Sequence, residues 1–242
     1  HFFYMGRIFQ LFNVINQAVK DKGIFYVIKR ASFILIYLAY HKLFSKQKFF
    51  TFKDKSYVYF HDIINNTWMN ERSIEVPIVM EIVNQNKGKR ILEIGNVLSN
   101  YYKVSHDIVD KYEKAPNVIN QDVVDFKTNE KYDLIVSIST LEHVGWDEEP
   151  RDDKKIPKAL KNLKNCLNPK GIIIVTLPLG YNQALNSHLK NGTIKFYEQN
   201  YLLRIGNNSW REASWDEVKE TTFGNPYPGA NGLVVGIDRI TY

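Results

Sequence analysis

The sequence predicts an α/β protein: a three-layer, mostly parallel, doubly wound sheet with a reversed last strand, preceded by an N-terminal helical arm and a β-hairpin. Three observations carry this expectation. From Arg90 onward, short apolar runs alternate with helical or loop segments, as strands covered on both faces require. The run RILEIG at 90–95 ends in glycine, which lets a strand turn sharply at its carboxyl end. Asp152 to Leu167 carries apolar residues at helical spacing and leads through Asn168-Pro169-Lys170-Gly171 straight into GIIIVTLP.

Taken in order, Phe49 to Phe60 (FFTFKDKSYVYF) alternates aromatic and polar residues around Lys53-Asp54-Lys55, the pattern of a hairpin. Asn66 to Val83 reads as helical, with Pro77 expected to break it in two. Strands are expected at Arg90–Gly95, Ser105–Asp110, Asn117–Gln121, Tyr132–Thr140 and Gly171–Leu177. In the helix Asp152–Leu167, residues Ile156, Leu160, Leu163 and Leu167 form one stripe, and Pro157 is tolerated only near the first turn. A short helix at Gln183–Lys190 follows, then strand-like Ile194–Ile205, a turn at Gly206-Asn207-Asn208-Ser209, and a strand at Trp210–Ala213. The Gly/Pro-rich loop GNPYPGANG leads into a last apolar strand, Leu233–Ile237, which closes the sheet antiparallel.

At 242 residues and 44% hydrophobic content, the chain has material for one substantial core. The expected division is 1–60, a basic and aromatic-rich arm with the hairpin, and 61–242, the α/β domain. The net charge of +6 is unevenly spread: residues 1–60 carry ten Lys+Arg against two Asp+Glu, and the remainder is slightly acidic. A basic arm ahead of a near-neutral domain fits attachment to a surface better than nucleic-acid binding. Ala31 to Tyr40 is apolar with basic flanks but rises only about 15 Å as a helix, roughly half a bilayer core. Residues 24–44 are therefore candidates for contact with a membrane surface rather than for a span. The single cysteine, Cys166, excludes an intrachain disulfide and a cysteine-cluster metal site and fits a reducing, cytoplasmic location. The acids Asp147, Glu148, Glu149, Asp152 and Asp153 lack oxygen-ligand loop spacing, so no metal is expected.

The end of the 90–95 strand is where an open α/β sheet presents a nucleotide-like ligand. Glu93 and Gly95 stand there, Asp110 comes fifteen residues after Gly95 at the end of the second strand, and Asp122 follows the third. The fourth strand ends in SISTLEHVGW, and the helix, NPKG turn and GIIIVTLP strand come next. In their order and spacing these features resemble the class I, Rossmann-like, S-adenosylmethionine-dependent methyltransferases, over Thr67 to the C-terminus. The resemblance implies S-adenosyl-L-methionine as cofactor and a small-molecule or glycan acceptor.

It also implies roles. Glu93 lies under the loop and holds backbone donors or a cofactor ammonium; Asp110 meets the ribose hydroxyls, with an ion pair to Lys111 as the alternative; Asp122 accepts from the adenine amine while Val123 lines the ring. Gly95, Asn96, Lys111 and Ser139 complete the cofactor candidates. Val97 and Ser99 stand where glycines usually allow close approach, a departure that puts the methionine end of the cofactor in question. His143 is the candidate base, since its ordinary pKa lies near working pH, and Glu142 is the second catalytic candidate.

Methyl transfer to a hydroxyl needs little beyond an in-line approach and a base, so acceptor identity rests on what surrounds the core. Trp68, Arg72, Trp146, Tyr181, Asn225, Tyr227 and Asn231 are the acceptor candidates, because flat aromatic faces with amides suit a sugar. Glu71 or Arg72 is expected to fix a loop. Ser139-Thr140-Leu141-Glu142 replaces the Asn/Asp-Pro-Pro-aromatic turn of amine-methylating nucleic-acid enzymes, and Cys166 lacks the preceding proline of a cytosine-ring nucleophile. O-methylation of a sugar-related or other small hydroxylated acceptor is the leading reading. A non-catalytic module docking through residues 1–60 is the alternative, and a nicotinamide enzyme is disfavoured by the missing GxGxxG.

Overall fold

A computed structural model describes residues 15–16, 19–29, 31–32 and 48–239. Most of the apolar run 31–40 lies outside the described residues. Two sheets are present. The small one is a hairpin, β1 (Phe49–Phe52) and β2 (Lys55–Val58), whose turn residues Lys53 and Asp54 have φ of 51° and 59°. Paired positive φ values give the turn the right-handed twist that a two-residue hairpin needs.

The large sheet has eight strands in the order β5-β4-β3-β6-β7-β10-β8-β9. They are β3 (Ile91–Ile94), β4 (Asp107–Val109), β5 (Val118–Ile119), β6 (Tyr132–Ile138), β7 (Leu167–Pro178), β8 (Glu198–Gly206), β9 (Ser209–Ala213) and β10 (Gly232–Arg239). The β5-β4-β3-β6-β7 half is parallel. β10 inserts antiparallel between β7 and β8, and β9 closes the edge antiparallel to β8. The parallel sheet with a reversed last strand is therefore observed. β7 begins four residues earlier than expected, because Leu167 pairs with Tyr132 ahead of a bulge that accommodates Asn168-Pro169-Lys170.

Strand residues alternate between two cores. Ile135, Ile173, Val175, Leu177 and Val234 pack on the face covered by α2 (Lys155–Asn165) and α3 (Gln183–Lys190). Leu134, Val136, Ile138, Ile174, Leu233 and Val235 face α1 (Arg72–Gln85) and the hairpin. Phe50 and Phe52 are 4% and 3% exposed within this second core, so the hairpin packs against the α/β unit. The Trp210 amide on β9 donates to Tyr59 Oη at 2.8 Å and pins the hairpin's exit. α4 (Trp215–Val218) starts with a capping box built by Ser214 and Glu217, reciprocally satisfying N-terminal donors.

Pro77 does not break α1, contrary to the sequence expectation. A proline leaves the carbonyl four residues earlier without its helical donor. Here that carbonyl belongs to Ser73, and it accepts the Phe60 amide at 2.8 Å, so the strand-exit loop supplies the missing bond. The expected helix from Asn66 is instead a 3-10 segment, Ile64–Met69, interrupted by positive φ at Asn65 and Asn66, with α1 starting separately at Arg72.

Candidate active site

The carboxyl ends of β3, β4 and β6 lie side by side and gather most of the residues singled out in the sequence. Glu93, fully buried in β3, accepts the Val97 and Leu98 amides on Oε1 at 2.9 and 2.8 Å. Its Oε2 lies 2.7 Å from His106 Nε2. Gly95 follows with φ of 83°. A side chain there would run into Thr140 after β6, so the glycine is required by the close approach of those two strand ends.

The bulk of the loop after Gly95 points inward. Val97 and Leu98 are 9% and 0% exposed and belong to the core beneath α1, so they do not fill the sheet's edge. Asn96 is also buried; its Nδ2 donates to Glu113 Oε1 at 2.6 Å, and its Oδ1 accepts the Ser99 hydroxyl. Asp110 holds the Tyr112 and Glu113 amides with Oδ1, at 2.8 and 2.7 Å, which leaves Oδ2 for a further donor. Burial pushes the Glu113 carboxyl up, and the Asp110 and Glu93 charges add to that, while Asn96 works against it. The carboxylates gathered at this corner fit a ligand bearing sulfonium and ammonium charges.

Asp122 sits in a lysine pair that the sequence did not reveal: Oδ2 is held by Lys155 at 2.6 Å and Lys111 at 3.0 Å, and Oδ1 accepts the Val124 amide at 3.1 Å. Burial would raise this carboxyl, but the two lysines hold it down to about 2. Val123 packs into the core under α2 and is 5% exposed. Glu148 joins both lysines, so Lys111 pairs with Asp122 and Glu148 rather than with neighbouring Asp110.

At the end of β6, Ser139 has φ of 37°, a conformation that costs a non-glycine residue about 1–3 kcal/mol. All its polar atoms are engaged. Its amide donates to the Thr176 carbonyl and hydroxyl, its hydroxyl donates to Glu75 Oε1, and its carbonyl accepts from Arg72 at 3.4 Å. Arg72 also pairs with Glu75 Oε2 at 2.7 Å. Glu71 Oε2 accepts the Ala230 amide at 2.8 Å and lies where a side chain on Gly229 would go, so Glu71 pins the loop ahead of β10.

Glu142 completes this buried acidic group; it is 2% exposed and its Oε2 has no hydrogen-bond partner. Burial pushes its carboxyl well above the ordinary glutamate range; Arg72 opposes the shift, and Glu75 and Glu71 add to it. Between the ordinary value of about 4.3 and the raised one, the folded protein retains a proton that the unfolded chain has released. Stability should therefore fall as pH rises across that window. Glu142→Gln is expected to flatten this fall in melting temperature against pH, and an unchanged profile would contradict the burial account.

His143 stands at the rim. Its Nδ1 lies 2.5 Å from Asp147 Oδ2, its Nε2 3.6 Å from Glu142 Oε1, and its side chain is 47% exposed. Tyr181 donates its hydroxyl to the same Asp147 oxygen at 2.6 Å and meets the imidazole edge-on with ring centroids 4.8 Å apart. Asp147 is held below the ordinary aspartate range: burial works against this, but Tyr181 and His143 outweigh it. Trp146 carries the Arg151 guanidinium 3.7 Å above its ring.

The remaining acceptor candidates divide. Asn225 is exposed, and Tyr227 is half-buried under the Arg204 guanidinium at 4.9 Å. Asn231 is not available: its amide donates to the Thr222, Asn225 and Tyr227 carbonyls and its Oδ1 accepts the Tyr227 amide, knotting the loop. Trp68 is 7% exposed and Arg72 is held in its carboxylate cluster, so both lie beneath the surface rather than on it. Sequence reasoning missed His106, Glu113 and Glu75, and weighed Asp147 and Glu148 only as metal ligands, a role their spacing disfavoured. Their partners lie far away in sequence, and only an acid four residues after His143 was visible as a hint.

A family model described as a methyltransferase domain matches residues 76–228, well over half of the chain. No curated protein matches significantly. Among solved structures, the chain is similar to the N-methyltransferase NodS from Bradyrhizobium japonicum WM9, with 14% identity, 74% of this chain and 100% of that one covered, and a TM-score of 0.43. It is also similar to TehB from Haemophilus influenzae, with 15% identity over 70% of this chain and 63% of that one, and a TM-score of 0.43. The chain belongs to the methyltransferase domain family and is an enzyme whose methyl donor is S-adenosylmethionine.

Proposed function

We propose that the protein transfers a methyl group from S-adenosylmethionine to a hydroxyl of a sugar or another small polyhydroxy acceptor. The observation that carries this reading is the His143–Asp147 pair at the rim of the sheet's carboxyl edge. A carboxylate on Nδ1 fixes the tautomer that leaves Nε2 as proton acceptor, which a hydroxyl nucleophile needs. Tyr181, which meets the imidazole edge-on, is the aromatic neighbour for a sugar ring, and the exposed Asn225 is a hydrogen-bonding candidate.

Asp110 Oδ2 takes a ribose hydroxyl, and the Glu93-held loop with Glu113 meets the methionine end. Titration calorimetry with S-adenosylhomocysteine tests this arrangement: Asp110→Ala is expected to weaken binding clearly, and an unaltered affinity would remove Asp110 from the site.

The arm supports membrane-peripheral attachment. Phe25 is 84% exposed, Ile24 and Ile28 are each 54% exposed, and Lys20, Lys22 and Lys29 stand beside them. Exposed apolar side chains among lysines suit an anionic lipid surface. No helix among the described residues is long and apolar enough to cross a membrane. Flotation with phosphatidylserine vesicles should carry the protein, and Phe25→Ser/Ile28→Ser should leave it at the bottom of the gradient; equal flotation of both would refute the attachment.

A further inference from the structure

A cleft opens on the opposite edge of the sheet from the candidate active site. It encloses about 510 Å³ between the end of α1, the start of β3 and residues 102–107. That is the size of a small-molecule site. One wall is apolar, made by Val83, Ile91, Tyr102 and Val104, and Lys87, Lys89 and Lys103 stand around it. Lys87 and Lys103 are exposed and form no salt bridge with a described residue. The acid on the wall, Asp107, is already occupied: its Oδ2 accepts from Arg90 at 3.3 Å and from the Tyr132 hydroxyl at 2.9 Å. Uncompensated positive charge beside an apolar wall suits an anion with an apolar body.

A second observation links the cleft to the far edge. His106 lines it, and the ring, only 7% exposed, lies 2.7 Å from Glu93 Oε2. The other oxygen of Glu93 holds the Val97 and Leu98 amides. An anion that attracts the imidazole therefore changes what Glu93 faces, and with it the hold on the loop after Gly95.

We propose that this cleft binds a small phosphate- or carboxylate-bearing molecule with an apolar body, and that His106 and Glu93 couple its binding to the loop at the cofactor edge. The coupling rests on reading that edge as the S-adenosylmethionine site; the binding does not.

Calorimetry on the full chain with phenyl phosphate, phenylacetate and inorganic phosphate tests it. Phenyl phosphate or phenylacetate should bind, and the tighter of the two identifies the anion. Lys87→Glu/Lys103→Glu should weaken that binding about tenfold, close to 1.4 kcal/mol. Saturating probe should shift the affinity for S-adenosylhomocysteine, with the same factor in the reverse titration. His106→Gln should abolish the shift while the probe still binds. No heat with either aromatic probe, equal binding of inorganic phosphate, indifference to the double charge reversal, or an unshifted S-adenosylhomocysteine affinity would overturn the proposal. Failure of S-adenosylhomocysteine to bind at all would instead remove the cofactor reading and the coupling, and the probe titration would still decide the cleft.

Discussion

His143→Ala is expected to lower kcat by about 10²- to 10⁴-fold, the usual contribution of a positioned general base. The affinity for S-adenosylhomocysteine should not change. The measurement is transfer of a labelled methyl group from S-adenosylmethionine to a panel of sugars and other small polyhydroxy acceptors, with kcat/KM followed against pH. A base acting through Nε2 gives the profile an acid limb, which His143→Ala should remove. Asp147→Asn keeps a side chain of the same shape at Nδ1 but removes the charge that steadies the imidazolium, so a smaller loss in kcat is expected. Tyr181→Phe frees Asp147 of a hydrogen bond at 2.6 Å and should cost less again. A structural histidine predicts a different result: a lower melting temperature in His143→Ala with the acid limb intact. That outcome would end the general-base reading.

Glu93→Ala is expected to cost about 3–5 kcal/mol of stability, because it strips a fully buried carboxylate from groups that have no other partner. The Val97 and Leu98 amides would be left unsatisfied, at about 1–3 kcal/mol each for a buried polar group. In a domain of this size each kcal/mol lowers the melting temperature by about 2–4 °C, so a fall on the order of 10 °C is expected. Binding of S-adenosylhomocysteine should weaken with it, since this side chain holds the Val97 and Leu98 amides of the loop at the cofactor edge. Glu93→Gln separates the two effects. Its amide oxygen still accepts both backbone donors, so most of the stability should return while the His106 pairing is altered. A melting temperature for Glu93→Ala within a degree or so of the parent would contradict the role given to the loop.

The legible parts of the fold were those set by local pattern. β3, β6 and β7 showed as apolar runs because both faces of their sheet are covered. α2 showed as a stripe because one face meets the core and the other meets water. The hairpin turn followed from aromatic alternation around Lys53-Asp54. Pro77 misled because the donor that rescues its helix, the Phe60 amide, comes from outside the helix. Val97 misled in the opposite direction: a bulky residue in the loop reads as an obstruction until its side chain is seen to lie in the core.

The same division runs through the candidate site. Position along the chain located Glu93, Gly95, Asp110 and Ser139 at adjoining strand ends, since parallel strands bring their carboxyl termini to one edge. It did not show which carboxylates were already occupied. Asp122 is neutralised by Lys111 and Lys155, while Glu113 and Glu142 are left with burial and neighbouring acids that push their carboxyls up. By itself, then, the sequence determined the mostly parallel sheet, the reversed closing strand and the strand ends that gather the candidate site. Those properties depend on hydrophobic periodicity and on turn residues, which are local. Only the tertiary structure decided which charges remain available there, because an ion pair or a buried hydrogen bond depends on contacts between residues far apart in the chain.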